Sequence, residues 1–270
     1  MKLEEIREKW VIKNNNSEAA MAMWDSQAEA ECYNQIPSFE NNHFLKYMER
    51  KGMLKPSCDV LDIGCGAGAY SIAIADRVRT VTGVDISSKM IEHGKKKALE
   101  LRLDNINLFQ ADWNQFSLED NRYDAHFDLV FAHMTPAVSD SVALEKMNAA
   151  SKRYCILCKP TRRNDPVYFE VERLLGIKRT SSALDETIIN IFSMLWQLGY
   201  SPELTYENQV WDINRTYEEA CQFYINRVKQ IKLLDNNDIA KAKDYLKCIE
   251  KNGRISECIN TLITTIFWEK

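Results

Sequence analysis

Apolar positions follow two rhythms along the chain. Between residues 58 and 160, short apolar runs of strand length alternate with longer stretches at helical spacing. The runs are CDVLDIG (58–64), TVTGVDI (80–86), INLFQAD (106–112), HFDLVFAH (126–133) and RYCILCKP (153–160). Between them lie YSIAIADRV, SSKMIEHGKKKALELR with a serine N-cap, and SDSVALEKMNAAS, all of which read as helices. Strands that alternate with helices predict an α/β fold, a parallel sheet covered on both faces with right-handed crossovers.

The flanks differ. Residues 1–50 read as helical, with Ser17 as the N-cap of SEAAMAMWDSQAEAECY. Beyond Pro160, VYFEVERLLGI and LDETIINIFSMLWQLGY read as helices and PELTYENQVWDI as a strand. In YEEACQFYINRVKQIKLL, the residues Tyr217, Ala220, Cys221, Tyr224, Val228 and Ile231 share one helical face. IAKAKDYLKCIEKN is a further helix. NTLITTIFWEK, rich in Thr, Ile and aromatics, is a terminal strand. The expected organisation is one domain over 1–270. It has a helical lid at about 1–50, a ligand-binding core at about 55–160, a helical cap at about 214–258 and a last strand at about 260–269.

Composition narrows the class. The 270 residues are 45% apolar and 27% charged, a globular balance. A net charge of −4 gives no general attraction to nucleic acid or an anionic membrane. No apolar run reaches the ~18 residues of a membrane helix. The start, MKLEEIREKWVIKNNNSEAA, lacks the apolar stretch of a signal peptide, so the expected location is the cytoplasm. Its eight cysteines are then expected to be reduced. Cys155 and Cys158 form a C-x-x-C inside a strand-like run, where residues three apart face opposite ways. No second pair completes a metal site, so no metal is expected.

The candidate chemistry lies in VLDIGCGAGAY, residues 60–70. Gly64, Gly66 and Ala69 fit the dinucleotide pattern G-x-G-x-x-A; Gly64, Gly66 and Gly68 fit D-x-G-x-G-x-G. Either way a strand turns sharply into a helix and the backbone lets a ligand close. No Gly-Lys-Ser/Thr follows, which excludes a P-loop. Three acids separate the two patterns. Asp62 precedes the loop, Asp85 ends the second strand and Asp112, followed by Trp113, ends the third. A dinucleotide site employs Asp85 and leaves Asp62 and Asp112 without a role. A cationic ligand carrying ammonium, ribose and adenine employs all three.

This constellation resembles the class I S-adenosylmethionine-dependent methyltransferases. VLDIGCGAG is similar to that family's first motif, GVDIS to its second, QADW to its third and FDLVFAH to its fourth. The likeness covers about residues 55–160. It implies a Rossmann-like doubly wound sheet of about seven strands, mostly parallel with an antiparallel last strand, plus a helical cap. It implies S-adenosylmethionine as cofactor and S-adenosylhomocysteine as product. The methionine part would lie on Asp62, Gly64, Cys65, Gly66 and Gly68, and the ribose on Asp85 beside Ile86. Asp112 would take the adenine amino group, with Met90, Ala111 and Trp113 around the ring. Ala132 and His133 would stand near the reactive methyl, and Trp24 and Tyr33 of the N-terminal segment would cover the cofactor.

Other roles compete for these residues. Strand-end aspartates also cap loops, and Met90, Trp113, Trp24 and Tyr33 also fill cores. His133 is the best-placed base, titrating near neutrality; a strand-end histidine bonded to backbone is the favoured alternative. Tyr217, Phe223 and Tyr224 line an acceptor pocket or, by helical spacing, pack a core, and the second is preferred. AHMTPAV in the fourth motif lacks the Asn/Asp-Pro-Pro-aromatic signature of base-amine methylation. Lys95, Lys96 and Lys97 read as a solvated helix face. Arg162 and Arg163 read as solvated too, although with Lys152, Arg153 and Lys159 they would also make a basic lip. The leading reading is methyl transfer to a small molecule, with no nucleic-acid or membrane partner. An NAD(P)-dependent oxidoreductase and a non-catalytic S-adenosylmethionine-binding protein are the alternatives.

Overall fold

The computed structural model describes residues 2–12, 16–28, 35–178 and 183–270. Tyr33 lies outside them. Seven strands form one sheet in the order β3-β2-β1-β4-β5-β7-β6. They are β1 (Asp59–Ile63), β2 (Thr80–Asp85), β3 (Ile106–Gln110), β4 (Phe127–His133), β5 (Ser151–Asn164), β6 (Glu203–Thr216) and β7 (Arg254–Glu269). β1 runs parallel to β2 and β4, with Leu61 opposite Thr82 and Val130. β7 is antiparallel to both β5 and β6. The expected mostly parallel sheet with an antiparallel last strand is the one observed.

The helices are α1 (Leu3–Lys9), α2 (Ser17–Asp25), α3 (His43–Arg50), α4 (Ala69–Ile74), α5 (Ser88–Glu100), α6 (Leu118–Asn121), α7 (Ser141–Ala150), α8 (Pro166–Leu174), α9 (Ala183–Gln197), α10 (Tyr217–Lys229) and α11 (Asn236–Ile249). Ser87 caps α5 as expected, accepting from the Met90 amide. Ser17 does not cap α2. Asn16 does, accepting from Ala19 N–H, and this leaves the Ser17 hydroxyl free for another partner. Among the described residues, no helix is long and apolar enough to cross a membrane.

Each sheet face builds its own core. Leu61, Val130, Cys155, Leu157 and Trp268 pack on one side with α1, α7 and α9. Val60, Leu129, Phe131, Ile156 and Cys158 pack on the other with Phe44, Leu45 and Met48 of α3. The two cysteines of the C-x-x-C are thus fully buried on opposite faces, as strand alternation requires. A third cluster joins α8, α10 and α11 to Met23 of α2 and Ile255 of β7. The helices α10 and α11 occupy the connection from Thr216 to Arg254; residues 254–258, expected within the helical cap, are the start of β7.

The strand order reverses between β1 and β4: the chain leaves β1 towards β2 and β3, then returns to β4 on the other side. Ligands bind in such sheets outside the carboxyl ends of the strands at that switch point.

Candidate functional site

The glycine loop leaves β1 tied to its neighbour: the amides of Gly64 and Cys65 donate to Val84 O at 2.7 and 3.1 Å. Two glycines serve different ends. A Cβ on Gly64 would sit 2.0 Å from Thr135 Oγ1, so the loops after β1 and β4 touch there. Gly66 has φ +55 and nothing within 4 Å of its would-be Cβ; its backbone faces open space.

That space is a cavity of about 690 Å³, within the range of small-molecule sites. It collects most of the residues expected to hold a cofactor: Trp24, Gly64, Cys65, Gly66, Asp85, Ile86, Met90, Ala111, Asp112, Trp113 and His133 all line it. Gly68 stands behind, at the N-terminus of α4. Ala132 is buried in the core of β4. Asp62 lies beneath the loop, 2% exposed, where Ser71 Oγ donates to it at 2.7 Å. Burial pushes the Asp62 carboxyl up to about 7, against the Ser71 hydrogen bond and with help from the charge of Asp85.

Asp85 Oδ2 accepts from the Gly66 amide and Oδ1 from the Ser87 amide, both at 2.8 Å. Burial raises its pKa and the two amides oppose that rise. Each carboxylate oxygen has two lone pairs, so both keep capacity for a ligand hydroxyl. Asp112 Oδ1 accepts from Asn114 N–H at 2.9 Å, and Oδ2 from Gln115 Nε2 at 3.3 Å and Ser17 Oγ at 2.8 Å. The Trp113 indole donates to Ala143 O at 3.4 Å. Desolvation, together with the charges of Asp62 and Asp85, holds the half-buried Cys65 thiol well above its ordinary pKa.

At the other end His133 stacks on Tyr70, ring centroids 3.8 Å apart, and meets the edge of Phe44 at 4.8 Å. Asn42 Nδ2 donates to Tyr70 Oη at 2.9 Å. Burial pushes His133 down to about 3, so its imidazole is neutral near pH 7 and binds a proton weakly.

The α2 helix covers the cavity with Asn16, Ala20 and Trp24 near it. It is fastened at both ends. Ser17 holds Asp112, and Ser87 Oγ donates to Asp25 Oδ1 at 2.5 Å. Sequence reasoning missed Ser17, Asp25, Tyr70 and Thr135. Tyr70 had a signal, standing directly after the glycine loop. Thr135 follows His133 by two residues. Gln230 and Ile231, from the end of α10, had none beyond the helix that carries them.

Other expectations resolve differently. Tyr217, Phe223 and Tyr224 pack with the cap cluster, and the Tyr224 hydroxyl donates to Glu257. The basic lip does not assemble. Lys159 is 2% exposed and donates to Thr135 O, with burial pulling it down to about 8. Arg153 pairs with Glu269 at 2.8 Å. Arg163 is not solvated: it pairs with buried Asp165 at 2.9 Å and lies over Trp211. Arg162 and Lys95 to Lys97 are exposed. Among the described residues, no group of three or more His, Cys, Asp or Glu is placed to hold a metal.

Known proteins resemble this chain in its core domain and its fold. Residues 60–153 match the family model described as a methyltransferase domain. A demethylmenaquinone methyltransferase of Staphylococcus aureus is 31% identical over 123 residues, which are 44% of this chain and 49% of that protein. The match thus spans about half the length of such relatives. The YcgJ protein of Bacillus subtilis shares the fold at a TM-score of 0.51 and 21% identity, over 84% of this chain and 98% of that one. The MccD protein does so at 0.51 and 15% identity, over 88% and 99%. A seven-stranded sheet in this order with a glycine loop at its switch point is the fold of the class I methyltransferases that use S-adenosylmethionine, and residues 60–153 of the chain match a methyltransferase domain.

Proposed function

We propose that the chain transfers a methyl group from S-adenosylmethionine to an uncharged small molecule. The observation that carries this reading is one cavity running from Asp112 and Trp113, past Asp85 and the glycine loop, to His133 and Thr135. Gly66 supports it further, because its open side leaves backbone for a ligand to lie against.

In this reading Asp85 takes the ribose hydroxyls. Asp112 takes the adenine amino group, and Trp113 and Met90 flank the ring. The bound cofactor supplies a sulfonium methyl, an electrophile that needs only an aligned lone pair. The residues of the chain orient and exclude water. Orientation alone can lower such a barrier by roughly 7–11 kcal/mol, and α2 keeps solvent from the site. His133 acts as a wall and not as a base: an imidazole with a pKa of about 3 is far from the matched value a base needs near pH 7. The acceptor therefore brings a lone pair it can share unaided.

Its charge class follows from the lining. Among the described lining residues, the carboxylates Asp85 and Asp112 carry the only formal charges, and the acceptor end offers Tyr70, His133, Met134, Pro136, Ile12 and Ile231. An anionic acceptor would meet no counter-charge there, and burying an unpaired charge is costly. The demethylmenaquinone methyltransferases that resemble part of the chain are named for an uncharged acceptor.

The test has two steps. Calorimetry should show binding of S-adenosylhomocysteine and none of NAD. Incubation with methyl-labelled S-adenosylmethionine and a neutral metabolite fraction should move label into that fraction. Label appearing instead in RNA, DNA or an acidic fraction would overturn the acceptor class, and no binding of S-adenosylhomocysteine would overturn the whole reading.

A further inference from the structure

The turn that carries Asp112 and Trp113 has a polarity problem. Residues 112–116 wind as one helical turn, with Gln115 N–H and Phe116 N–H both donating to Asp112 O at 3.0 and 2.9 Å. Such a turn ends in carbonyls without intrahelical partners. A cation at that end satisfies them and suits their dipoles.

Lys146 of α7 provides it. Its ammonium donates to Trp113 O, to Asn114 O at 3.3 Å and to Phe116 O at 2.9 Å. An ammonium has three protons, and these three carbonyls account for all of them. Nζ also stands 5.0 Å from the centre of the Trp113 ring. One turn earlier on the same helix, Ala143 O accepts from the Trp113 indole. Asp140 caps α7 through Ala143 N–H at 2.8 Å, which fixes the turn carrying that carbonyl. α7 thus grips the loop by its backbone and by its indole, while Asp112 and Trp113 turn to the cavity. The charges acting on Lys146 are Asp112 and Asp140, which support its protonated form against partial burial.

We propose that Lys146 is the positioning residue of the adenine end: it holds the 112–116 turn in the one arrangement that aims Asp112 and Trp113 into the cavity together. This rests on the reading of Asp112 and Trp113 as the adenine contacts. Lys146 itself does not line the cavity and touches no ligand.

The test asks for recognition and not only stability. S-adenosylhomocysteine and S-inosylhomocysteine differ in the purine 6-substituent, an amino group in the first and an oxygen in the second. Asp112 accepts from the amino group and repels the oxygen, so the wild-type protein should prefer the first. Lys146→Met keeps the stem and removes the donors. Its affinity for S-adenosylhomocysteine should fall about tenfold or more, as for misplaced contacts, and its preference over the inosyl compound should shrink towards one. Lys146→Gln retains one amide donor and should fall between; it carries the measurement should Lys146→Met fail to fold. A variant that melts earlier but keeps the full wild-type preference would overturn the positioning role. A wild-type protein that binds both compounds equally would instead overturn the adenine assignment, and this proposal with it.

Discussion

Ser17 and Asp112 stand 95 residues apart in sequence and 2.8 Å apart in the structure, the hydroxyl at the start of α2 donating to the carboxylate just beyond β3. The contact ties the cover of the cavity to the group proposed to read adenine. A hydrogen bond to a charged group contributes roughly 1.5–3 kcal/mol. Asp112 Oδ1, which accepts from Asn114 N–H, keeps a lone pair for a ligand donor, so lid and ligand share one carboxylate through different oxygens. Ser17→Ala should therefore speed release of S-adenosylhomocysteine, by about tenfold, and barely alter its association rate. Stopped-flow fluorescence, with Trp24 and Trp113 as reporters in the wall, measures both; an unchanged release rate would show that the lid closes without Ser17.

Asp85→Asn separates affinity from stability. Burial raises the pKa of this carboxyl, so its charge is a cost to the fold. The amide leaves one oxygen to accept from a backbone N–H. It loses the second acceptor and the charge that the ribose hydroxyls would use. The Kd for S-adenosylhomocysteine should rise about 10- to 100-fold, with a melting temperature close to that of the wild type, because relief of the buried charge is offset by an amide NH2 that faces one of the two backbone N–H donors. Calorimetry and a melt decide it together, and unchanged affinity would contradict the ribose assignment.

Gly66→Val should abolish cofactor binding in a protein that still folds. No atom beyond the two chain neighbours lies within 4 Å of the new Cβ, so the Cβ itself meets no clash. The cost is a β-branched residue at φ +55, a strain of about 1–3 kcal/mol, and a side chain in the space the ligand needs. Gly64→Val makes the contrast: there the clash is with Thr135 itself, and destabilisation should dominate. Equal binding by Gly66→Val and wild type would remove the loop from the site.

Asp62 predicts a pH signature. Its folded pKa of about 7 lies above the unfolded value near 3.9. A group raised in this way favours the folded state when protonated. That stability is full below about pH 4 and is lost as the pH climbs through 7. Asp62→Asn stays neutral and keeps an oxygen for Ser71. It should melt like the wild type near pH 4 and higher above pH 7, by an amount on the order of 2–4 kcal/mol in stability. Chemical denaturation at pH 4.5 and 8 reads the difference; parallel curves at both would show that Asp62 is not the buried acid described.

Much of this was legible along the chain because it is local. Strand periodicity, the Ser87 cap and the glycine loop each depend on a few consecutive residues. The acids at three strand ends followed from the same alternation, since parallel strands put their C-terminal residues on one edge. What the chain concealed is long-range. Asn16 displaces Ser17 as the cap of α2, and the freed hydroxyl finds Asp112. Lys159 and Arg163 read as parts of a basic surface, yet β5 turns Lys159 inward and Asp165 pairs Arg163. His133 read as the best-placed base or, by preference, as a strand-end histidine bonded to backbone; its stacking on Tyr70 and contact with Phe44, with a pKa lowered by burial, are visible only in the fold.

The sequence by itself determined the order and kind of the elements, the class of ligand the loop invites and the strand ends proposed to hold it. These follow from side-chain alternation and backbone sterics, which act over a few residues. Only the tertiary structure decided which side chains share the cavity, what charge they hold and what fixes them. Desolvation sets the state of Asp62 and His133, and crossovers bring Lys146 to the turn after β3. Both depend on what packs around a group, and most of its neighbours come from distant parts of the chain.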